Sequence, residues 1–418
     1  MMPAVDSPFY DALETREPEA REGALMARLP GLISHAMGKA PGWARQLVGV
    51  NPQEIASRKA LAQLPVLRKG ELKGLQEANP PFGELTTIPT GRMGHVFMSP
   101  GPIFDPEDTG PDPWRTARAL WAAGMRPGHV LQNCFGYHLT PGAWMVDQAA
   151  RHIGCAVIPA GIGQTEQQLD VIRLLKPDAY VGTPSFLRIM IEKSRELGAD
   201  ISQLRRALVA AEALPPSLRT WFKDQGVETV LQWYGTADLG LVAYESEALE
   251  GMILDEELIL EIVRPGTGEP VADGEVGEIV ITSFNQAYPM IRFGTGDLSA
   301  VLPGISPCGR TNVRIRGWMG RADQTTKVRG MFVHPGQVAQ ILAKVPVVKR
   351  ARLVISGEMA NDTMTLQCEC DGPPPAGVSE QLIEAMREIT KLRGEVAWVS
   401  AGSLPNDGKV IDDARKYD

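Results

Sequence analysis

Between residues 128 and 234 the chain alternates short apolar runs with segments of helical period, and this alternation restricts the fold more than any other feature. The apolar runs fall at residues 129–132, 155–159, 179–182, 207–211 and 229–233, and segments 164–175 and 185–197 carry helix-spaced apolar residues between them. Runs this short have strand length, and strands separated by helices pair through crossovers rather than hairpins. The pattern therefore predicts an α/β fold with a mostly parallel sheet covered on both faces. Functional loops in such a sheet lie beyond the carboxyl ends of its strands. Residues 1–80 read as helical, with Pro30, Pro41 and Pro65 as punctuation and residues 64–69 as a surface turn entering a helix. Residues 80–113 are rich in Pro and Gly and read as one long irregular loop, a feature usually tied to function or motion.

Past residue 240 the pattern shortens. Residues 274–282 follow an Asp-Gly turn with period two, which predicts antiparallel strands. Strands are expected at 351–355, 364–370 and 395–399, with a helix at 379–392 and an exposed turn at Pro373-Pro374-Pro375. That is a compact α+β unit. A chain of 418 residues is long for one domain, so the expected division is a large domain at 1–322 and a small mobile one at 323–418.

Composition removes several function classes. A net charge of −8 leaves no basic stripe for a nucleic-acid backbone. No apolar run approaches the roughly 18 residues of a membrane span. The start, Met1-Met2-Pro3-Ala4-Val5-Asp6, has neither a basic nor an apolar signal region, and the five scattered cysteines do not form a disulfide framework. The expected compartment is the cytoplasm.

Four segments carry chemistry. Gln232-Trp233-Tyr234-Gly235-Thr236-Ala237-Asp238 follows an apolar strand and offers an aromatic ring for a base, a glycine for close approach, and a hydroxyl with a carboxylate for phosphate and Mg²⁺. Arg292-Phe293-Gly294-Thr295-Gly296-Asp297 places a carboxylate after glycines, suited to ribose hydroxyls. Gly317-Trp318-Met319-Gly320-Arg321-Ala322-Asp323 then runs into Lys327-Val328-Arg329-Gly330. Pro405-Asn406-Asp407-Gly408-Lys409 puts a lysine in a glycine loop, able to meet a phosphate as a point charge. Each segment alone is common; their order and spacing are what carry weight. No Gly-x-Ser-x-Gly elbow or Walker loop competes with them.

Together the segments resemble the adenylate-forming superfamily of acyl-CoA synthetases, luciferases and peptide-synthetase adenylation domains, and specifically its phenylacetate–CoA ligase branch. The resemblance covers almost the whole chain and extends to Phe135-Gly136-Tyr137-His138, Val157-Ile158-Pro159-Ala160-Gly161, Thr183-Pro184-Ser185-Phe186 and Ala211-Glu212-Ala213. It implies an AMP-forming ligase that uses ATP, Mg²⁺ and CoA to convert an aryl or arylacetic acid to its thioester through an acyl adenylate. Glu212, Tyr234, Gly235 and Thr236 are then expected at the nucleotide, with Asp297 on ribose and Arg321 on ribose or phosphate. Asp238, standing where the family has glutamate, is expected on the Mg²⁺ side. Asp323 would be the hinge about which the small domain rotates, and Lys409 would stabilise the first transition state. Phe135, Tyr137, His138 and Ala213 are expected to line the acid pocket, although for His138 a hydrogen-bonded loop role stays equally open. Lys327 and Arg329, just past the hinge, are candidates for the CoA phosphates. Relatives also suggest a homodimer.

The chain departs from the pattern near residue 100. In place of a Ser/Thr/Gly-rich phosphate loop ending in Gly-Lys-Pro stands Met98-Ser99-Pro100-Gly101-Pro102-Ile103-Phe104-Asp105-Pro106, with one hydroxyl, no lysine and three prolines that lack N–H donors. Either Arg92 or another basic group substitutes, or ATP use is weak or lost. A zinc site of some relatives is expected to be missing, because the aligned positions read Ser246, Ile253, Ser306 and Cys308. Two alternatives remain open: an adenylating enzyme with a non-CoA acceptor, and a non-catalytic relative that binds an acyl-CoA or nucleotide.

Overall fold

The computed structural model describes residues 5–99, 102–212, 214–324, 326–328, 331–357, 362–405 and 409–415, without the side chains of Asp323, Lys327, Met331 and Phe332. Ala213 and Arg329 lie outside the described residues. The chain divides into two compact units, one made of residues 1–264, 268–295 and 300–318, the other of residues 265–267, 296–299 and 319–418.

The larger unit is built around a nine-stranded sheet. Five of its strands, Val130–Asn133, Ala156–Pro159, Ala179–Gly182, Arg206–Val209 and Thr229–Thr236, are mutually parallel, as the alternating pattern required. Helices Gly142–Ile153, Thr165–Leu175, Pro184–Leu197 and Pro216–Asp224 make the crossovers. From Thr229–Thr236 onward the sheet continues antiparallel through Gly240–Glu245 and Met252–Leu254. Strand Ala179–Gly182 is buried throughout, which is why it reads as a continuous apolar run rather than an alternating one.

A second, four-stranded sheet contains Leu258–Val263 and Gly277–Ser283 as an antiparallel pair. Helix Pro18–Lys39 presents Leu25, Leu29, Leu32, Ile33 and Ala36 to the same core, one apolar stripe at helical spacing. Two expectations for the first hundred residues need correction. Residues 64–69 do enter a helix, Lys69–Ala78, but not as a surface turn: Leu64 and Leu67 are buried, and Leu67–Arg68 is a strand running parallel to Met290–Ser299. Two residues are too few to show a period, so only the pairing reveals the strand.

The expected loop at 80–113 likewise contains a hairpin, Val96–Ser99 against Ile103–Pro106, with Ser99 opposite Ile103 and Phe97 opposite Asp105. Gln76 clamps it at both polar groups of Phe104, donating to the carbonyl and accepting from the N–H at 2.8 Å each. Pro102 and Pro106, which argue against a strand, flank and end Ile103–Pro106, where a missing N–H costs little, and Pro100 lies outside the described residues.

The smaller unit holds a sheet ordered Glu395–Trp398, Thr363–Glu369, Arg350–Ser356 and Ile411–Asp413, with helices Pro335–Lys344 and Val378–Thr390. Its core joins Val338, Ile341, Leu353, Leu366, Leu382 and Met386. Cys368 is buried in that core, in keeping with a packing role. In the larger unit Ser306 donates to Cys308 Sγ at 3.1 Å, and Arg310 Nη1 stands 3.6 Å from the same sulfur. A guanidinium, not a second thiol, faces that cysteine.

Candidate active site

The parallel strands bring four of the sequence segments to one edge of the sheet. Val130–Asn133 leads into the Phe135–His138 loop, Ala179–Gly182 into Thr183–Ser185, Arg206–Val209 into Glu212, and Thr229–Thr236 contains Tyr234 and Gly235. Because these strands run in one direction, their carboxyl ends share an edge. Glu212 ties two of the segments together by accepting hydrogen bonds from Ser185 N (3.2 Å) and Ser185 Oγ (2.9 Å).

The turn after Thr229–Thr236 is tightly set. A Cβ on Gly235 would run into the carbonyl of Gly240, and one on Gly240 (φ +73°) would lie 2.8 Å from Trp114 O, so both positions need glycine. Thr236 Oγ1 accepts from Leu239 N at 3.2 Å and braces the turn. Tyr234 is buried in the core beside Leu239, and Trp233 is buried on the other side, edge-on to Phe135 at 6.4 Å.

Asp238 sits inside this turn with its side chain fully enclosed. Lys69 Nζ donates to its Oδ2 at 2.6 Å, and its Oδ1 is buried without a hydrogen-bond partner among the described residues. Asp105, from the second strand of the hairpin, accepts from Ser99 N at 3.1 Å. Burial, and then the charge of Asp238, push the Asp105 carboxyl up to about 7, while the Ser99 hydrogen bond and Lys69 pull it down. Sequence reading missed both Lys69 and Asp105, since each lies in a stretch with no period or motif to mark it.

This pair makes stability depend on pH with a definite sign. In the unfolded chain an aspartate ionises near 4, whereas Asp105 in the fold holds its proton to about 7. Its contribution is fully present below pH ~4 and is lost as pH rises through about 7. Asp105→Asn keeps an acceptor for Ser99 and removes the titration. The variant is expected to gain stability relative to the parent chain as pH rises from 4 to 8, measured by urea unfolding of the two in parallel. Curves that stay parallel across that range would rule out a raised Asp105.

Among the described residues of the hairpin, three backbone donors are already spent. Met98 N donates to Leu139 O at 2.8 Å, Ser99 N to Asp105, and Phe104 N to Gln76, while Pro102 and Pro106 have no N–H. An anion cradle needs unspent backbone donors, and these are already committed. Arg92 is exposed at the end of Thr90–Arg92.

On the pocket side, Phe135 is buried and His138 is exposed. Tyr137 Oη accepts from Asn133 Nδ2 at 2.9 Å and donates to Asp147 at 3.1 Å. Burial, with Asp147 adding to it, raises the phenol above its ordinary range.

The smaller unit carries a separate group. Asp297 and Arg321 face each other across an antiparallel bridge, with Arg321 Nη1 3.3 Å from Asp297 Oδ1. Gly296 (φ +76°) makes room for that guanidinium: a Cβ there would lie 2.8 Å from Arg321 Nη2. Asp323 follows in the single turn Ala322–Gln324, and Lys327 in the strand Thr326–Val328. Lys409 is exposed beside the strand Ile411–Asp413, its Nζ 3.4 Å from Asp412 Oδ1. Val410 N donates to Gln324 Oε1 at 2.7 Å, so the late strand and the Ala322–Gln324 turn are joined.

A doubly covered parallel sheet with these loops on its carboxyl edge defines a class, and the family model described as AMP-binding enzyme matches residues 134–287. That match and the relatives described next support a place in the adenylate-forming superfamily, in its phenylacetate–CoA ligase-like branch. It is 29% identical to the phenylacetate-coenzyme A ligase of Thermus thermophilus over 93% of this chain and 91% of that one. To the phenylacetate-coenzyme A ligase of Escherichia coli it is also 29% identical, over 96% and 95%. Its fold matches an open conformation of 2-hydroxyisobutyryl-CoA ligase in complex with 2-HIB-AMP and CoA (TM-score 0.86, 24% identity, 99% of this chain and 96% of that one). No helix among the described residues is long and apolar enough to cross a membrane.

Proposed function

We propose that this chain is an AMP-forming acyl-CoA ligase that activates an aryl or arylacetic acid with ATP and transfers it to CoA. The observation that carries this reading is similarity to phenylacetate-coenzyme A ligases along nearly the whole length of both chains. The assembly of Glu212, Tyr234, Gly235 and Thr236 on one sheet edge supports it. In the first half-reaction a carboxylate oxygen attacks the α-phosphorus of ATP, and the bond to pyrophosphate breaks. In the second, the CoA sulfur attacks the acyl carbon, its proton leaves, and the carbon–oxygen bond to AMP breaks.

Within this reading, Tyr234 and Gly235 line the nucleotide and Thr236 holds its turn. Asp297 takes the ribose hydroxyls, and Arg321 leaves its ion pair partly for ribose or phosphate. Lys409 supplies positive charge to the pentacoordinate phosphorus. Asp323 is the hinge, and Lys327 meets a CoA phosphate. Phe135 and Tyr137 form the pocket wall, with His138 at its exposed rim. The free thiols at all five cysteines suit a reducing cytoplasm, and a homodimer is the proposed assembly.

Mg²⁺ is implied by the family, and Asp238 does not fit it. The carboxylate is enclosed, and an ammonium already balances its charge at 2.6 Å. A metal would have to displace Lys69, so no step is assigned through Mg²⁺ at this residue.

The committed backbone donors of the 96–106 hairpin favour a second reading, a relative that binds nucleotide or acyl-CoA without turning ATP over. ATP–pyrophosphate exchange across aromatic and short-chain acids, followed by AMP release with and without CoA, separates the two. Acid-dependent exchange with CoA-dependent AMP release is the expected result. Exchange without a CoA effect points to a different acceptor, and no exchange with any acid sinks the ligase reading.

A further inference from the structure

Beside the Phe135–His138 loop stands an aromatic wall that the reaction outlined above does not use. His95 stacks on Phe97 with ring centroids 5.5 Å apart and lies 4.7 Å from Trp144, which meets Tyr137 edge-on at 5.5 Å. Each polar tip of this wall but one is bonded within the protein. Trp144 Nε1 donates to Tyr137 O at 3.1 Å, and the Tyr137 hydroxyl is bonded to Asn133 and Asp147.

The exception is His95. Its Nδ1 is 2.7 Å from Glu107 Oε1, and Glu107 is almost completely buried, also receiving Trp114 Nε1 at 2.7 Å and Gln148 Nε2 at 2.9 Å. Glu107 already receives two other N–H groups, so Nδ1 is the ring nitrogen that donates to it, and Nε2 is the one left for a ligand. His95 is exposed, and Nε2 has no partner among the described residues. The amide oxygen of Gln148, whose nitrogen holds Glu107, is a second acceptor left buried without a partner.

A ring nitrogen without a partner and a buried amide oxygen without a donor, in and beside an aromatic wall next to the pocket loop, favour a ligand with a polar ring substituent that can donate. We infer that the acid taken by this chain carries a ring hydroxyl or amino group, and that His95, oriented by Glu107, receives its hydrogen. The inference rests on the ligase reading and narrows its substrate class from aryl acids to hydroxyaryl or aminoaryl acids. Glu107 is a positioning residue, acting only through the imidazole it holds.

The test uses the full chain and matched acids, phenylacetate against its 3-hydroxy, 4-hydroxy and 4-amino derivatives, in ATP–pyrophosphate exchange and in direct calorimetric binding. A hydroxylated or aminated acid is expected to exceed phenylacetate in kcat/KM by about 10-fold, the effect of one hydrogen bond near 1.4 kcal/mol. His95→Phe keeps a ring for stacking and removes Nε2. It should raise KM for the preferred acid about 10-fold and leave phenylacetate unchanged. Exchange with equal kcat/KM for all four acids, or a preference that survives in His95→Phe, overturns the inference and leaves the ligase reading standing. Absence of exchange and binding for every acid overturns both.

Discussion

Lys409→Ala is expected to slow ATP–pyrophosphate exchange by about 10²–10³-fold, the usual loss when one preorganised charge at a transition state is removed. The lysine is exposed, with Asp412 as an ion-pair partner only three residues on, at 3.4 Å. An exposed pair of that kind contributes about 0–1 kcal/mol to stability, so the variant should fold normally. Its effect is expected to be confined to the first half-reaction. Thioester formation from preformed acyl adenylate should fall less than about 10-fold, because the α-phosphorus is then no longer pentacoordinate. Measuring both half-reactions on the same preparation decides the matter, and equal losses in the two would reject the assigned role.

Arg292→Met is expected to destabilise the larger unit by about 3–5 kcal/mol, the range for breaking a buried ion pair. Arg292 is almost fully enclosed. It makes a two-point pair with Glu261, Nε to Oε2 and Nη2 to Oε1 at 3.0 Å each, and donates to the carbonyls of Ala62, Leu64 and Gly268. Its backbone is also left-handed (φ +47°), unusual for a residue with a long side chain, and these bonds hold it there. Burial pushes Glu261 above its ordinary range and the Arg292 guanidinium opposes that shift most, so removing Arg292 leaves an enclosed acid with only the weaker charge of Arg58 to balance it. Urea unfolding of Arg292→Met and of Arg292→Met/Glu261→Gln provides the check. The double variant is expected to recover part of the loss, and a single-variant cost below about 1 kcal/mol would show the pair to be dispensable.

The two residues show how far local pattern reaches. Arg292 opens the Arg-Phe-Gly-Thr-Gly-Asp segment and was given no part in the chemistry, yet it anchors the strand on which that segment stands. Lys409 was singled out because a lysine after glycine near a phosphate has recognisable chemistry. Asp297 and Arg321 were singled out for the same reason, and the structure pairs them in the smaller unit. The hairpin at 96–106 was not, because its prolines mark loops in any local reading and its strands are secured by Gln76 and Leu139 from elsewhere in the chain. His95 and Glu107 lie twelve residues apart in a stretch without periodicity, and only the hairpin returns one to the other.

By itself the sequence pointed to the parallel sheet, because apolar runs separated by helical periods pair through crossovers, and to the family resemblance through the order of its short segments. The tertiary structure alone decided which charges meet. Lys69 closing on Asp238, Asp105 beside them, Arg292 on Glu261 and His95 on Glu107 are contacts between segments 12 to 169 residues apart. The energy of such pairs comes from exclusion of water, and that exclusion does not exist until the surrounding elements have packed.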